Sequence, residues 1–414
     1  MQASLSSPLK RISVLDALRG FALLGIILMH MIQHFGFGSV PASTPILQFP
    51  ALDELSRWLG YNVIMGRFIN VFAFLFGISL FIQIDRAAHK GIDFRKRFIW
   101  KMLILMALGL LAHAFYSMEI LSVYAFFGLI LLAVYRVKSW ILILLSAALL
   151  FGVPRIIQTN YHNSQLAEQP VSVAQTQLQN AERTQPPALP EHIANPSLIN
   201  TAIHNYQDRF AGKLNYQFGF IGRGYVTLAL FLIGLVVART RVLQQLQAHK
   251  KNNWYLFVGF TVATISITLL QNILPEHNTR VFFRAEGIYL SSGLLIAQTL
   301  NDISLVLFTG ALVTGFILVY QSKVGHYLET LAPYGRAALT NYLMQGVIGA
   351  LLFAPWALGS YFGSWGIFAL CMLGIAIYLI QGACSKLWLT HYLYGPLEWL
   401  WRSATYLKRQ PFVR

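Results

Sequence analysis

Charged side chains are scarce in this 414-residue chain: only 11% of its residues are Asp, Glu, Lys or Arg, whereas 56% are hydrophobic. A soluble domain carries about a quarter charged residues. The composition therefore excludes an ordinary soluble enzyme and predicts an integral membrane protein with an all-α fold.

Acidic residues are especially few, with 15 Asp and Glu against 31 Lys and Arg, which gives a net charge of +16. Such a balance can indicate a nucleic-acid partner, but basic residues beside hydrophobic spans are typical of the cytoplasmic loops of multispanning proteins. We therefore expect the lipid bilayer, and no nucleic acid, as a partner.

Cysteine is nearly absent as well. Cys371 and Cys384 lie within or at the edge of an apolar run, where a thiol behaves as a small hydrophobe, so no disulfide framework is predicted. The HExxH, GxSxG and phosphate-loop motifs are missing too, and we predict no metal. The hydropathy shows no inverted repeat, which disfavours the common carrier folds.

Long apolar runs are what the sequence has in abundance. About 20 apolar residues suffice to cross the hydrocarbon core, so the pattern predicts ten or eleven crossings. The runs cover residues 14–33, 64–84, 98–116, 119–135, 139–157, 218–238, 254–274, 287–300, 303–320, 341–358 and 364–387.

The distribution of Lys and Arg decides between the two counts, because cytoplasmic loops collect these residues. Lys10 and Arg11 place the N-terminus inside, and the basic loop 85–101 then also falls inside. The basic C-terminal tail falls inside only if residues 287–320 cross once, with a re-entrant or interfacial piece that breaks at Asn301 and Asp302. We therefore predict a bundle of about ten transmembrane helices with both termini cytoplasmic.

The chain divides into four parts on this reading. The external part, residues 158–217, is rich in Gln and Pro. Apolar residues recur at helical spacing between Ile199 and Phe210, which predicts an amphipathic helix on the outer membrane surface or across the bundle mouth, as a cap or as a substrate lid. The parts are an N-terminal membrane half (1–157), the external loop (158–217), a C-terminal membrane half (218–389) and a basic amphipathic tail (390–414). In the tail, Glu398 and Arg402 are spaced as an i,i+4 ion pair.

The first span carries an unusual set of ionisable side chains. At 100° per residue one stripe forms on a single helix face, made of Asp16, Arg19, Leu23, Ile27, His30 and His34. Ionisable groups in a span avoid lipid, so we expect this stripe to face a hydrated interior. Asp16 and Arg19 then lie near the cytoplasmic side, and the histidines lie near the outer side, with His30 about 21 Å from Asp16 along the helix axis. The simpler alternatives are an interfacial ion pair and interfacial imidazoles.

Other polar side chains fall at comparable depths. On the outer side, we expect Arg67 and Asn70 of the second span to lie beside the histidines, with His113 and Glu119 at the next outer turn. Arg280, Arg284 and Glu286 belong to an outer loop that could join them. Asn341 and Gln345, four residues apart, present amides from one helix face, either to a substrate or to a neighbouring helix.

Four phrases carry a resemblance to a known family. LDALRG (15–20), FAFLFG (72–77), LAPYGRAALTNYLMQG (331–346) and YGPLEWLWRSATY (394–406) together resemble the YeiB-like family of bacterial membrane proteins, also known as the domain-of-unknown-function 418 family. The resemblance implies a multi-pass protein of the bacterial inner membrane.

The RISVLDALRG opening is also similar to a wider group of transmembrane acyltransferases, which includes heparan glucosaminide N-acetyltransferase. That resemblance implies an acyl group taken from cytoplasmic acyl-CoA, acetyl-CoA most of all, and given to a small-molecule or glycan acceptor. It also implies a catalytic histidine, His30 or His34, and Arg67 is placed to stabilise the oxyanion. The substrate-binding candidates are Asp16, Arg19, Asn70, His113, Glu119, Arg336, Asn341 and Gln345.

Two other classes of function stay open. In a transporter or export accessory, the stripe on the first helix would be a proton or substrate path. A structural or regulatory partner of another envelope protein is the third reading, and a homodimer is compatible with all three.

Overall fold

The computed structural model describes residues 13–37, 47–168, 190–274, 282 and 288–414. The outer-loop residues Arg280, Arg284 and Glu286 lie outside this part. Apart from one isolated bridge between Tyr392 and Val413, the regular structure of the described residues is helical.

The helices of the first half are α1 (Ser13–Ile32), α2 (Pro50–Leu59), α3 (Arg67–Ala88), α4 (Arg95–Phe115), α5 (Leu121–Val134), α6 (Ser139–Leu150), α7 (Val153–Glu168), α8 (Glu191–Ala194), α9 (Leu198–His204) and α10 (Phe210–Phe218). Those of the second half are α11 (Arg223–Arg239), α12 (Val242–Ala248), α13 (Lys250–Ile273), α14 (Ser292–Tyr320), α15 (Gly325–Glu329), α16 (Ala332–Arg336), α17 (Ala338–Phe353), α18 (Gly359–Phe362), α19 (Ile367–His391) and α20 (Pro396–Tyr406).

Seven of the described helical segments are long and apolar enough to cross a membrane: Ser13–Ile32, Pro50–Ala88, Arg95–Phe115, Ser139–Leu166, Lys250–Ile273, Ser292–Tyr320 and Ile367–His391. An eighth span results if Leu198–Phe218 and Arg223–Arg239, bent by 55°, count as one. Leu121–Val134 and Ala338–Phe353 are shorter apolar helices. The predicted all-helical, multi-pass membrane bundle is confirmed at this level.

The predicted break at Asn301 and Asp302 is wrong, because α14 runs without interruption through both residues. Asp302 is buried inside the bundle, where it accepts hydrogen bonds from Arg155 and from Gln298, four residues earlier on the same helix. A carboxylate that is paired in this way does not have to leave the helix to reach water.

Helix α1 forms the centre of the bundle, with 78% of its apolar segment buried, and it packs on α3, α14, α16, α17 and α19. Close backbone contacts organise the neighbouring pair, α3 and α11. A Cβ atom at Gly77 would lie 2.2 Å from the carbonyl oxygen of Phe231, and one at Gly234 would lie 2.3 Å from that of Phe74. Reciprocal glycines of this kind let membrane helices approach closely.

Helix α13 lies at the periphery. Only 6% of its apolar segment is buried, and its main partner is α14, with which it forms a helical hairpin. The exposed face of α13 is therefore expected to face lipid.

The segment from α9 to α10 has its apolar side turned outwards. Ile199, Ile203 and Tyr206 are 69%, 46% and 43% exposed, whereas Thr201 and Asn205 are buried. An outward apolar face suits contact with the membrane.

The bundle has two ends, which we name after residues of α1. At the Ser13 end, the hydroxyl of Ser13 lies 2.9 Å from that of Tyr320, at the end of α14. At the His30 end, His30 contacts Tyr116, just after α4. Helices α1 and α4 therefore run in the same direction, and α14 runs in the opposite one.

Candidate functional site

A buried chain of polar side chains lies at the His30 end. The hydroxyl of Tyr116 lies 2.8 Å from Nε2 of His30, and both side chains are nearly inaccessible to solvent. Tyr116 is also hydrogen-bonded to Tyr342 of α17, whose hydroxyl accepts the backbone N–H of Ile120 at 3.1 Å. The burial of His30 thus depends on residues from three separate parts of the sequence.

Glu119 adds a buried carboxylate beside the two tyrosines. It accepts a hydrogen bond from the backbone N–H of Ser122 at 3.1 Å, another from the hydroxyl of Ser122, and an ion pair from Lys213 of α10. Sequence reasoning missed Lys213, and a lone lysine in an amphipathic helix gives no signal by itself. We name His30, Tyr116, Tyr342, Glu119 and Lys213 the histidine cluster.

His34 lies in a strained turn next to this cluster. His34 and Phe35 have φ values of 48° and 50°, and Gly36 follows at 82°. Two successive non-glycine residues in the left-handed region carry strain that is typical of functional turns. The ring of His34 meets that of Phe353 edge-on at 5.2 Å, its Nε2 has no partner among the described residues, and burial lowers the pKa of His34.

His113 anchors the amphipathic segment rather than joining His30. Its Nε2 lies 3.0 Å from the carbonyl oxygen of Asn205, and its ring packs between Tyr206 and Phe210. The side chain of Asn205 in turn donates to the carbonyl of Ala114 at 3.0 Å. These bonds hold α9 and α10 against α4.

Arg67 and Asn70 make their described contacts with groups other than the histidines. Arg67 donates to the carbonyls of Tyr61 and Met65 at 3.3 and 3.1 Å, and its guanidinium lies over the ring of Phe308 on α14, 5.1 Å from the centroid. Asn70 accepts a hydrogen bond from Arg223. The described contacts of Arg67 include neither histidine.

Asn341 and Gln345 belong to a buried network between α16, α17 and α19. Asn341 donates to the hydroxyl of Ser385 at 2.9 Å, and Gln345 donates to the hydroxyl of Tyr334 at 2.8 Å. Tyr334 in turn donates to Gln381 at 2.6 Å. The described partners of these amides therefore belong to neighbouring helices, which agrees with the helix-to-helix alternative.

Arg19 and Asp16 form an ion pair at 2.7 Å, as in the simpler alternative given for these two residues. Arg19 also donates to the hydroxyl of Ser79 at 2.5 Å, which ties α1 to α3 at the Ser13 end. Arg336, at the same end, donates to the carbonyl of Leu393 at 3.4 Å.

Two further cations lie near Arg19. Lys101 donates to Gln83 at 2.6 Å and lies over the ring of Trp401, 4.3 Å from its centroid. Arg19 and Arg402 are close enough for their charges to repel the Lys101 ammonium group. We name Arg19, Lys101 and Arg402 the cation cluster. The tail helix α20 completes it, since Trp401 donates to the backbone of Lys101 at 3.0 Å.

The stripe of residues on α1 does not form a continuous polar path between the cation cluster and the histidine cluster. Leu23 and Ile27, which lie between Arg19 and His30, are both 0% exposed and belong to the packed core. Polar side chains between the ends are found on α17 instead, where Asn341 and Gln345 follow one another along the helix.

The structure contains a buried ion pair that the sequence did not predict. Arg155 of α7 pairs with Asp302 of α14 at 2.5 Å and donates to the carbonyls of Phe220 and Ile221 at 2.6 and 3.0 Å. The sequence places both residues near the ends of apolar runs, but it gives no indication that they meet.

In the part of the chain that the structure describes, no group of three or more His, Cys, Asp or Glu side chains is placed to hold a metal ion.

This fold and its buried clusters define the class of the protein: a multi-pass helical membrane protein with ionisable side chains inside the bundle. Residues 237–408 match the model of a family described as "Protein of unknown function (DUF418)". The resemblance to the YeiB-like, DUF418 family is thereby confirmed.

Three bacterial relatives support the resemblance to this family. The chain is 27% identical to the "Uncharacterized protein YxaH" of Bacillus subtilis (strain 168), over 98% of this chain and 96% of the relative. It is 26% identical to the "Uncharacterized 39.9 kDa protein in amylase 3'region" of Bacillus acidopullulyticus, with the same coverage. It is 36% identical to the "Uncharacterized protein YeiB" of Escherichia coli (strain K12), over 20% of this chain and 21% of the relative.

Proposed function

We propose that the protein is a membrane acyltransferase that moves an acyl group from cytoplasmic acyl-CoA, acetyl-CoA most of all, to a sugar or other small acceptor at or across the bacterial inner membrane. The observation that carries this proposal is the buried contact between His30 and Tyr116, extended by Tyr342 and Glu119. Buried ionisable groups inside a membrane bundle are costly and mark functional sites.

The proposed orientation has ten passes, which adds α5, α11 and α17 to the seven long spans. Contacts support the alternation. Ser13 meets Tyr320 at the end of α14, and Trp401 of the tail meets Lys101 at the start of α4. The start of α1 and the tail therefore lie at the same end, and the basic residues of that end support its proposed location in the cytoplasm.

The cation cluster is the proposed site for the phosphates of acyl-CoA. Guanidinium groups bind phosphate through paired hydrogen bonds, and three cations lie close together here, with Asp16 paired to Arg19. Arg336 lies at the same end, close to the tail. An anion would relieve the repulsion between Lys101 and its two cationic neighbours.

The histidine cluster is the proposed site of acyl transfer. A neutral imidazole takes the proton of the acceptor hydroxyl, whose oxygen attacks the thioester carbonyl. The new C–O bond forms as the C–S bond breaks, and the imidazolium returns the proton to the leaving sulfur, so that CoA departs as the thiol and the imidazole is neutral again. His34, in its strained turn, is the alternative base, and Arg67 is left out because its contacts lie elsewhere.

The amide network is the proposed lining between the two sites. Asn341 and Gln345 are buried and succeed one another on α17 from the Ser13 end towards Tyr116. A Cβ atom at Gly346, next to Gln345, would lie 3.2 Å from the Tyr116 ring. The network therefore ends where the histidine cluster begins.

The test is transfer of label from radioactive acetyl-CoA to protein or to added glycan acceptors by the purified protein. Replacement of His30 by Ala should lower the rate about 10²- to 10⁴-fold, the usual contribution of a general base, and His34→Ala tells which imidazole acts. His326→Ala is the matched control, since His326 is exposed on α15. Reproducible absence of acyl-CoA binding, or full labelling by the His30 and His34 variants, refutes the proposal.

The buried pair of Arg155 and Asp302 favours a second candidate, a transporter or export accessory, because paired charges inside spans mark ion and substrate pathways. In that case Asp302→Asn protein that is still folded in proteoliposomes would no longer move substrate, while acyl-CoA binding stays absent. An acyltransferase would instead show acyl-CoA binding that depends on Lys101.

A further inference from the structure

Three polar side chains at the start of α3 and α11 form a second cationic site. Arg223 donates to the carbonyl of Gly66 at 2.7 Å and to the side-chain oxygen of Asn70. Arg67 lies close enough for its charge and that of Arg223 to repel each other. We name Arg67, Asn70 and Arg223 the arginine site.

Each of the three side chains keeps a buried N–H group without a hydrogen-bond partner among the described residues: Nε of Arg67, Nδ2 of Asn70 and Nη1 of Arg223. Asn70 is 1% exposed and Arg223 is 8% exposed. Buried donors left unsatisfied destabilise a protein, and several in one place indicate an acceptor-rich ligand.

The charges at this site specify an anion. Asp302, whose carboxylate is close enough for its charge to interact with that of Arg223, is already paired with Arg155. Two guanidinium groups and one amide group therefore lie close together. Their N–H groups are all hydrogen-bond donors, and the site carries an excess of positive charge. Phosphate, with its several acceptor oxygens, matches two arginines better than a single carbonyl does.

An apolar groove begins beside Arg67 of the arginine site. It has a volume of about 500 Å³ and lies between α1, α13 and α14, with a lining that includes Phe21, Phe257, Phe308, Phe316 and Val319. The guanidinium of Arg67 lies directly over Phe308, at one end of the groove. Ile265, another lining residue, is 54% exposed, so the groove opens towards the lipid.

The dimensions of the groove fit a hydrocarbon chain. Phe308 and Val319 are eleven residues apart on α14, which is about 16 Å along a helix axis. That is about half the roughly 30 Å thickness of the hydrocarbon core. A charged site at one end and an apolar groove of this length together describe an amphiphile.

We propose that the arginine site binds the phosphate headgroup of a membrane lipid whose chain lies in the groove between α13 and α14. Basic pockets between membrane helices recognise lipid phosphates in this way. The lipid is distinct from the acyl-CoA proposed for the cation cluster, because the two sites lie on different helices and at different depths.

The test is native mass spectrometry of the full-length protein, purified in neutral detergent and titrated with phosphatidylglycerol. Diacylglycerol with the same chains is the matched ligand without phosphate, and inorganic phosphate is the anion without a chain. Phosphatidylglycerol should bind at least about tenfold more tightly than either, as expected for charged hydrogen bonds. Equal affinity for diacylglycerol, or inorganic phosphate bound as tightly as the lipid, overturns the proposal.

Variants locate the two halves of the site. Arg67→Gln should weaken phosphatidylglycerol binding about tenfold, and Ala311→Phe should weaken it by filling the groove that Ala311 lines. Arg57→Gln, which removes an exposed arginine from the same end, should change nothing. Unchanged binding in either of the first two variants refutes the assignment.

Asn70→Asp keeps the test decisive if Arg67→Gln folds poorly. The carboxylate would sit where an amide oxygen already meets Arg223, so the protein should fold at least as well as the wild type. Because the new charge satisfies the guanidinium internally, lipid binding should fall about tenfold or more. Full lipid binding by folded Asn70→Asp protein contradicts the proposal.

Discussion

Gly335 lies directly against the backbone of Asp16: a Cβ atom at position 335 would be 1.8 Å from the carbonyl oxygen of Asp16. The contact is matched one turn further along α1, where a Cβ atom at Gly20 would be 2.5 Å from the carbonyl oxygen of Leu331. Two glycines thus bring the phrases LDALRG and LAPYGR backbone to backbone. This contact holds α16 against α1 and sets the position of the amide network.

Substitution of Gly335 by Ala should destabilise the protein by about 1–3 kcal/mol, because the new methyl group must push α16 away from α1. Gly259→Ala is the matched control, since a Cβ atom there would meet nothing within 4 Å. Thermal unfolding of the purified variants measures the difference. Equal melting temperatures for the two variants would show that the close contact does not constrain the bundle.

Glu398 caps the N-terminus of α17. Its carboxylate accepts hydrogen bonds from the backbone N–H groups of Leu339 and Thr340 at 2.6 and 3.0 Å, and from the Thr340 hydroxyl at 2.6 Å. Glu398→Ala should therefore cost about 1–2 kcal/mol of stability, and Glu398→Gln, which keeps an acceptor oxygen, should cost less. If Ala and Gln variants unfold at the same temperature, the cap is not what holds this helix end.

Asp302→Asn should destabilise the protein strongly, by about 3–5 kcal/mol, because it leaves the charge of Arg155 buried without its partner. Glu54→Gln breaks an exposed pair with Arg57 at 3.5 Å and should cost about 1 kcal/mol or less. Chemical or thermal unfolding in detergent compares the two. A Glu54 variant as unstable as the Asp302 variant would contradict the role given to burial.

Acid should loosen the segment around α8. Burial, together with the nearby His204 and Arg209, lowers the pKa of His192 to about 4, against the ordinary 6.5. The attached segment keeps His192 neutral while the detached segment binds a proton, so the attachment is complete above pH 6.5 and weakens as pH falls towards 4.

Hydrogen exchange measures this effect, after correction for the intrinsic rate. Amides of residues 191–209 should exchange faster at pH 5 than at pH 7, and His192→Phe should reduce the difference because it cannot bind a proton. His326→Phe, at the Ser13 end, should leave the difference intact. The idea fails if the wild type and the His192 variant respond to pH alike.

Local sequence patterns predicted the membrane helices well, because a run of about 20 apolar residues has few alternatives to a helix in lipid. The pairing of Asp16 with Arg19 followed from their spacing in one turn of α1. Glu398 shows the limit of such spacing arguments. It suits a pair with Arg402 on the same helix, yet its carboxylate reaches α17, since backbone N–H groups at a helix start are strong donors.

The outer polar residues show the same limit. The sequence predicted Arg67 and the histidines at one depth in the membrane, but depth does not fix the side of a helix that meets a given neighbour. Arg67 turns towards Phe308, whereas His30 turns towards Tyr116. Lys213 and Arg155 gave no local signal, because their partners lie about 90 and 150 residues away in the chain.

The sequence by itself determined that this chain forms membrane helices, which residues on α1 are ionisable, and the family that its phrases resemble. These properties are local, since they follow from composition and from the helical repeat. Only the tertiary structure decided which ionisable groups meet: His30 with Tyr116, Arg155 with Asp302, and Arg223 with Asn70. The reason is that helix rotation and neighbours are set by close contacts such as Gly335 on Asp16, and such contacts join residues far apart in the chain.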